Sequence, residues 1–417
     1  MHSLKTETFK YRKMKITEKR NRILVLSAVF PPEPTISGKV AFDLANTLCK
    51  DNDVVAITPK PTRPYNTNYN NTTPINYPFT HHVLKTYTCP KTVLFGRLRE
   101  SYSFGKAIIK YLKREKENID LIYAQPWPAF AQLFLIRTAK KLNIPVIMCI
   151  HDIYPESFTS QMPDFIGRFL NRVFLPFDKY ILQNSIRVVT ISPQMKDYLV
   201  SSRDLNESMV HIVRNWQNDE LYTSQKYQHT KESEPFFTYM YLGNMSPSAG
   251  IDLLIQSFAN AKIKNAKLVI AGSGSDKERC MNLANEYPYC KIEFTVAQSE
   301  DVPALQAQAD VLLLPLKKGV GKTASPSKLP AYMFSAKPII ACIDEESDSG
   351  DIIRNAKCGW ILRPEDQEEL TDKMKHVAGL DKNQLITLGE NGYNYAIKTL
   401  SRKSNLQKLT TIVKEAL

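Results

Sequence analysis

Short apolar runs rich in β-branched residues alternate along the chain with stretches whose apolar residues recur every three to four positions. One series of runs lies at Ile23–Val29, Val54–Ile57, Ile119–Ala124, Val146–Ile150 and Val188–Ile191. A second begins at Phe237–Leu242 and continues through Leu268–Ala271, Ile292–Val296, Val311–Leu314 and Ile339–Ile343. Runs this continuously apolar predict strands buried on both faces, as in parallel sheets covered by helices. Ala41, Leu44, Ala45 and Leu48 fall at helical spacing after the first run, and Ile251, Leu254, Ile255 and Phe258 do so after the first run of the second series. Each series opens with a strand–loop–helix unit, so two α/β domains are expected.

The polar stretch Tyr222–Pro235 lacks apolar periodicity and reads as a linker. The expected divisions are a basic extension over 1–22, a first domain over 23–221, the linker over 222–235, a second domain over 236–385 and closing helices over 386–417. Ligands of open α/β sheets lie at the carboxyl ends of the strands. For two such sheets that places them in a cleft between the domains.

Two stretches combine apolar and basic residues. Ile166, Phe169, Leu170, Val173, Phe174 and Phe177 form a stripe flanked by Arg168, Arg172 and Lys179. It is expected to be a core-packing helix, although a helix of this pattern can also lie in a membrane interface. In Lys91–Lys116, Phe95, Tyr102 and Phe104 are interleaved with Arg97, Arg99, Lys106 and Lys110, and those four cations are the expected membrane face.

Composition narrows the class. With 43% hydrophobic and 23% charged residues in 417, disorder and collagen-like repeats are excluded. The formal net charge of +13 points to an anionic partner. Residues 1–220 hold 31 Lys and Arg against 19 Asp and Glu, whereas 221–417 hold 24 against 23, so the excess belongs to the first half. Seven cysteines without a C-x-x-C pair predict neither a zinc site nor a disulfide framework, which suggests a reducing compartment. No apolar run approaches the ~18 residues that span a bilayer, and no apolar segment follows the basic first 22 residues as a secretory signal would require.

Two phosphate motifs fail by counting. Gly321-Lys322-Thr323 would need a glycine at Leu316 to be a P-loop, and Gly272-Ser273-Gly274 would need one at Lys277 to be a dinucleotide fingerprint. What remains at 272–274 is a small-residue turn that lets backbone approach a ligand. More informative is Ser325-Pro326-Ser327-Lys328-Leu329, ahead of a predicted helix and the Lys337-Pro338-Ile339-Ile340 strand, because helix-start amides and a lysine suit a phosphate.

This segment resembles the nucleotide-sugar site of family 4 (group 1) glycosyltransferases of the GT-B fold. Nearly the whole chain shares the likeness, through Phe30-Pro31-Pro32 with Ser37-Gly38, Val213-Arg214-Asn215-Trp216, Tyr241-Leu242-Gly243-Asn244, Gly250-Ile251-Asp252 and Ala271-Gly272-Ser273-Gly274. His151-Asp152-Ile153-Tyr154-Pro155-Glu156 is similar to the subgroup that builds bacterial surface polysaccharides such as capsule, O-antigen and exopolysaccharide, with relatives transferring N-acetylated or deoxy amino sugars.

The resemblance implies two Rossmann-like domains facing across a cleft, with a C-terminal helix crossing back. It implies a retaining transfer from a nucleotide-diphosphate sugar to a polyprenyl-diphosphate-linked saccharide, peripheral to the inner face of the plasma membrane, with no nucleic acid as partner. Donor contacts fall on Gly38, Lys39, Gly243, Asn244, Gly272, Ser273, Gly274, Lys322, Ser325, Ser327, Lys328 and Leu329, and His151 and Asp152 are the implied catalytic residues. The family's E-x7-E pair falls on Thr323 and Ala331, and its two loop cations fall on Asn244 and about Ala249, which leaves Lys328 as the chief diphosphate cation. Glu156 could orient His151, meet the acceptor or be a surface residue. His81 and His82 are expected in a polar loop without partners. Metal-independent transfer without a cofactor is expected. A GT-B nucleotide-sugar epimerase and an inactive membrane scaffold are the alternatives.

Overall fold

The computed structural model describes residues 20–63, 67, 69, 75–89, 94–159, 162–216, 219–223, 235–296, 298, 300–319 and 328–417. Most of the 1–22 extension and of the 222–235 linker therefore lies outside the described residues, as do Lys322, Thr323, Ser325 and Ser327.

Strands β1 (Arg22–Ser27), β2 (Asp53–Thr58), β3 (Thr80–Val83), β4 (Leu121–Gln125), β5 (Val146–Cys149), β6 (Arg187–Thr190) and β7 (Val210–Ile212) form a parallel sheet in the order β3-β2-β1-β4-β5-β6-β7. Central β1 sets Val25 beside Ala56 of β2 and Tyr123 of β4. Because side chains alternate across a strand, Leu24 and Leu26 enter the core on one face of the sheet and Ile23 and Val25 that on the other. The intervening helices are α1 (Ile36–Leu48), α2 (Leu94–Glu115), α3 (Phe130–Lys141), α4 (Glu156–Thr159), α5 (Asp164–Gln183) and α6 (Pro193–Arg203).

The short α7 (Glu220–Thr223) leads toward a second parallel sheet. Its strands are β8 (Phe237–Leu242), β9 (Ala266–Ala271), β10 (Ile292–Thr295), β11 (Val311–Pro315), β12 (Ile339–Cys342) and β13 (Gly359–Leu362), in the order β10-β9-β8-β11-β12-β13. Helices α8 (Ile251–Ala261), α9 (Lys277–Asn285), α10 (Val302–Ala307), α11 (Lys328–Phe334), α12 (Asp348–Ala356) and α13 (Gln367–Ala378) belong to it. Strand order reverses between β1 and β4 and again between β8 and β11, which opens a crevice at the carboxyl end of each sheet.

The chain ends in α14 (Lys382–Thr399) and α15 (Arg402–Lys414), and the two behave differently. Ala396 and Leu400 pack in the second domain, whereas Leu409, Ile412 and Val413 join the core of the first. Arg402 clamps both carboxylate oxygens of Asp43 at 2.9 Å, and Asp43 also accepts the indole N–H of Trp216 at 2.8 Å. Arg214 further ties the domains, with a bidentate bond to Asp348 at 2.6 and 2.8 Å.

Three sequence expectations change. His81 and His82 belong to edge strand β3, paired with β2; the His81 ring bonds Thr58 Oγ1 at 2.9 Å and packs on Phe30 and Tyr77. Tyr222, placed in the linker, is buried against Phe334. Most of the α5 stripe faces outward: Ile166, Phe169, Val173 and Phe177 are exposed, as is neighbouring Phe165, at 71%, while Leu170 and Phe174 are half-buried. Helical periodicity defines an apolar face but not the direction it points, and in α5 the inward face is built from Gly167, Asp178, Ile181 and Leu182.

Candidate functional site

At the carboxyl end of the first sheet, the turns after β1, β4 and β5 enclose a cavity of about 620 Å³. Its floor carries Gln125, the last residue of β4, and its wall carries His151 and Asp152, just beyond β5. The Gln125 amide NH2 donates to Ser37 O at 2.7 Å and to Ser27 Oγ at 2.9 Å. A carbonyl can only accept, so Gln125 turns Oε1 toward His151, and His151 Nε2–H donates to it at 3.0 Å. That hydrogen bond fixes the tautomer. His151 Nδ1 is buried and makes no hydrogen bond with the described residues, although Asn215 stands beside the ring. Burial lowers the imidazole's pKa, but Cys149, Asp152 and Asn215 outweigh it and raise the value, so the surroundings of the ring favour its protonated form. Asp152 is exposed at the rim.

The opposite wall depends on contacts between residues distant in sequence. Arg63 lies 3.7 Å over the Trp127 ring and pairs with buried Glu100 at 3.1 Å. Burial pushes the Glu100 carboxyl up, and Arg63 opposes the shift. The main chain before Arg63 is held by Glu33, whose Oε1 accepts from the amides of Thr62 and Arg63 at 2.7 and 2.8 Å. Trp127 Nε1 is a second buried group with no partner among the described residues. Arg97 lines this cavity. Arg99 sits over Tyr87 and Lys106 over Tyr102, and Arg97, Arg99, Lys106 and Lys110 are all exposed.

Glu156 is locked: its two oxygens each accept from Arg203 at 2.7 Å, and Oε1 also accepts from Tyr198 at 2.8 Å. Burial alone would raise its pKa, but these hydrogen bonds hold the carboxyl below the usual range. Arg203, fully buried, also donates to Asp178 at 2.8 Å and to the Tyr154 carbonyl at 3.0 Å. Glu156 therefore braces the loop that carries His151 against α5 and α6, and touches neither His151 nor the cavity.

At the carboxyl end of the second sheet, the turns after β8 and β9 interlock. Gly243 and Gly272 have φ of +153° and +139°, and a Cβ on Gly272 would stand 2.0 Å from the Gly243 carbonyl oxygen. A Cβ on Gly243 would stand 2.1 Å from Lys328 Cε, so the lysine stem lies directly over this turn. Lys328 Nζ donates to the Tyr241 hydroxyl at 2.6 Å, and that hydroxyl donates to the Asn244 carbonyl at 2.7 Å. Burial pushes the Lys328 ammonium down to about 8. Tyr332 completes the clamp, its hydroxyl accepting from Leu242 N and donating to Leu242 O.

The structure thus brings together Gly243, Asn244, Gly272, Ser273, Gly274 and Lys328 at one sheet end. Leu329 is 1% exposed and packs in the core, so its side chain is no donor contact. Gly38 is spoken for too: its amide donates to Thr35 Oγ1 at 3.2 Å, and its missing side chain makes room for Thr35 and the Phe30 backbone. Lys39 is half-buried on α1. Sequence reasoning gave no role to Gln125, Arg63, Trp127 or Tyr241; Gln125 ends β4, and Tyr241 lies one residue before the end of β8.

Among the described residues no three His, Cys, Asp or Glu side chains are grouped to hold a metal ion, and no helix is long and apolar enough to cross a membrane.

The family described as Glycosyl transferases group 1 matches residues 223–406, and Glycosyltransferase Family 4 matches 37–221. No curated protein sequence matches the chain. A glycosyltransferase from Rickettsia africae has a TM-score of 0.65 at 16% identity, over 96% of this chain and 99% of the other. Anabaena HepE in complex with UDP gives 0.66 at 12%, over 95% and 100%. WaaG, a glycosyltransferase involved in lipopolysaccharide biosynthesis, gives 0.60 at 15%, over 94% and 99%. Identities this low describe a shared fold.

Proposed function

We propose that this chain, whose second half matches the group 1 glycosyltransferases and whose first half matches glycosyltransferase family 4, moves a sugar from a nucleotide diphosphate to a polyprenyl-diphosphate-linked saccharide, with retention at the anomeric carbon. The fold is GT-B, and the two crevices divide the work. The second-domain turns and Lys328 hold the donor diphosphate, Lys328 as a charge-assisted donor. The first-domain cavity takes the acceptor and the transferred sugar.

The bond between the anomeric carbon and the donor phosphate breaks, and a bond forms to an acceptor hydroxyl oxygen. The hydroxyl proton passes to the departing phosphate, and Lys328 stabilises the charge that develops there. His151, oriented by Gln125, contacts the sugar and positions it. Asp152 meets the acceptor at the rim. Transfer is independent of metal. The setting is the inner face of the plasma membrane in surface-polysaccharide synthesis, with an N-acetylated or deoxy amino sugar as the transferred group; the fold shared with a glycosyltransferase of lipopolysaccharide biosynthesis supports this setting.

The observation that carries the reading is His151, held by Gln125 on the wall of a cavity at the strand-order reversal of the first sheet. A thermal-shift screen of UDP, GDP and dTDP tests it, since a ligand that binds the folded state raises apparent stability. One diphosphate is expected to raise Tm by roughly 2 °C or more at saturation. No shift with any of them counts against the proposal.

A further inference from the structure

Helix α5 has two opposed faces. The inward one is fixed: Gly167 lies so close to the Thr159 carbonyl oxygen that a Cβ would come within 2.7 Å, Asp178 takes Arg203, and Ile181 and Leu182 enter the core. The helix cannot rotate its apolar stripe inward without breaking these contacts. Outward, Phe165, Phe169, Val173 and Phe177 recur every four residues, with Ile166 beside them, all exposed. A soluble surface rarely leaves an apolar patch of this size uncovered.

The surroundings say what covers it. Arg168 and Arg172 stand exposed along one edge of the stripe. Phe95, 83% exposed, opens α2 ahead of exposed Arg97 and Arg99. The stripe also connects to the cavity, since Phe174 of α5 contacts Tyr154, Tyr154 contacts Phe158, and both Tyr154 and Phe158 line the cavity with Arg97. Exposed aromatics edged by arginines match an acyl layer beneath anionic headgroups. Exposed Asp164 opens the helix, but the two arginines outweigh it along that edge, the balance an anionic surface favours.

We propose that α5 lies in the surface of an anionic bilayer, with Phe165, Ile166, Phe169, Val173 and Phe177 among the acyl chains and Arg168 and Arg172 at the headgroups. The cavity that holds His151 then opens beside the lipid surface. The inference deepens the reading of a lipid-linked acceptor and rests on it for its biological setting, but its test uses no sugar chemistry.

Vesicle flotation of the full chain on phosphatidylcholine alone, and on phosphatidylcholine with phosphatidylglycerol, at low and high salt, provides that test. The wild type is expected to float with anionic vesicles and to keep part of that binding at high salt, because insertion is not screened. Phe165→Ser with Phe169→Ser should lower partitioning by roughly tenfold at both salt concentrations. Arg168→Gln with Arg172→Gln should remove the salt-sensitive part. Both double variants keep the wild-type Tm, since the changed side chains are exposed. An aromatic variant that floats like the wild type overturns the proposal. So does a wild type that ignores vesicles but sediments as a dimer that the aromatic variant dissociates, which would assign the face to a second copy. Flotation without nucleoside-diphosphate binding would keep this inference and remove the transferase reading; diphosphate binding without flotation would do the reverse.

Discussion

Lys328 Nζ and the Tyr241 hydroxyl meet at 2.6 Å, joining residues 87 positions apart, and the lysine stem crosses Gly243. Tyr241 passes the hydrogen bond on to the Asn244 carbonyl, so the cation is positioned by the turn it covers. Asn244 itself stands where the family resemblance expects a loop cation, and Lys328 delivers a positive charge to that turn from another element. Replacing Lys328 by Met should weaken nucleoside-diphosphate binding about tenfold to a hundredfold, the worth of a charge-assisted hydrogen bond. Tyr241→Phe should cost less, because the ammonium is kept and only its orientation loosens. Titration calorimetry with the diphosphate that scores in the thermal-shift screen checks both.

Burial pushes the Lys328 ammonium down to about 8, against an ordinary value of 10.5. A bound diphosphate favours the charged form and raises that value again, so above pH 8 binding takes up a proton. Affinity should be constant below pH 8 and fall as the pH rises through it, approaching about tenfold per pH unit. Lys328→Met should flatten this part of the profile. In the free protein the sign is opposite: between about 8 and 10.5 the unfolded chain holds more protons, so this group adds stability as the pH rises.

Gly243→Ala should damage donor binding more than its size suggests. The backbone sits at φ +153°, and the new methyl would fall 2.1 Å from Lys328 Cε. The lysine must leave its bond to Tyr241. Calorimetry should show a loss of diphosphate affinity at least as large as for Tyr241→Phe, with a lower Tm.

Arg203 is the buried cation that joins Glu156, Asp178 and the Tyr154 carbonyl. Arg203→Met would leave buried Asp178 without its cation and Glu156 with the Tyr198 hydroxyl alone of the partners named above, at a cost of about 3–5 kcal/mol. Chemical denaturation should show this loss directly, and a stability within 1 kcal/mol of the wild type would remove the bracing role given to Glu156, since removing one partner of a buried pair is strongly destabilising.

Much of this was legible in the sequence, for a physical reason. A strand buried on both faces must be apolar along its length, so all ten predicted strands exist; strand ends pointed to His151 and Gly272, and the family resemblance supplied Gly243. Strands β3, β7 and β13 escaped because edge strands tolerate polar residues such as His81, His82 and His211, or begin on a glycine such as Gly359. Arg63 over Trp127 and Lys328 on Tyr241 were invisible because each role is defined by a partner far along the chain. Helix α5 was misread because its period is the same whether the stripe faces a core or the outside.

The central claim is sugar transfer to an acceptor through the His151 cavity, and acceptor-dependent turnover measures it most directly. Full-length wild type and His151→Ala are incubated with the nucleotide sugar that binds and a polyprenyl-diphosphate-linked saccharide, and the lipid product is weighed by mass spectrometry. The wild type should release one nucleoside diphosphate for each acceptor that gains one sugar. His151→Ala should slow this step by roughly 100-fold, with the dissociation constant for the nucleoside diphosphate unchanged. Conversion of the nucleotide sugar to its epimer without acceptor, or equal turnover by the two proteins, would contradict it.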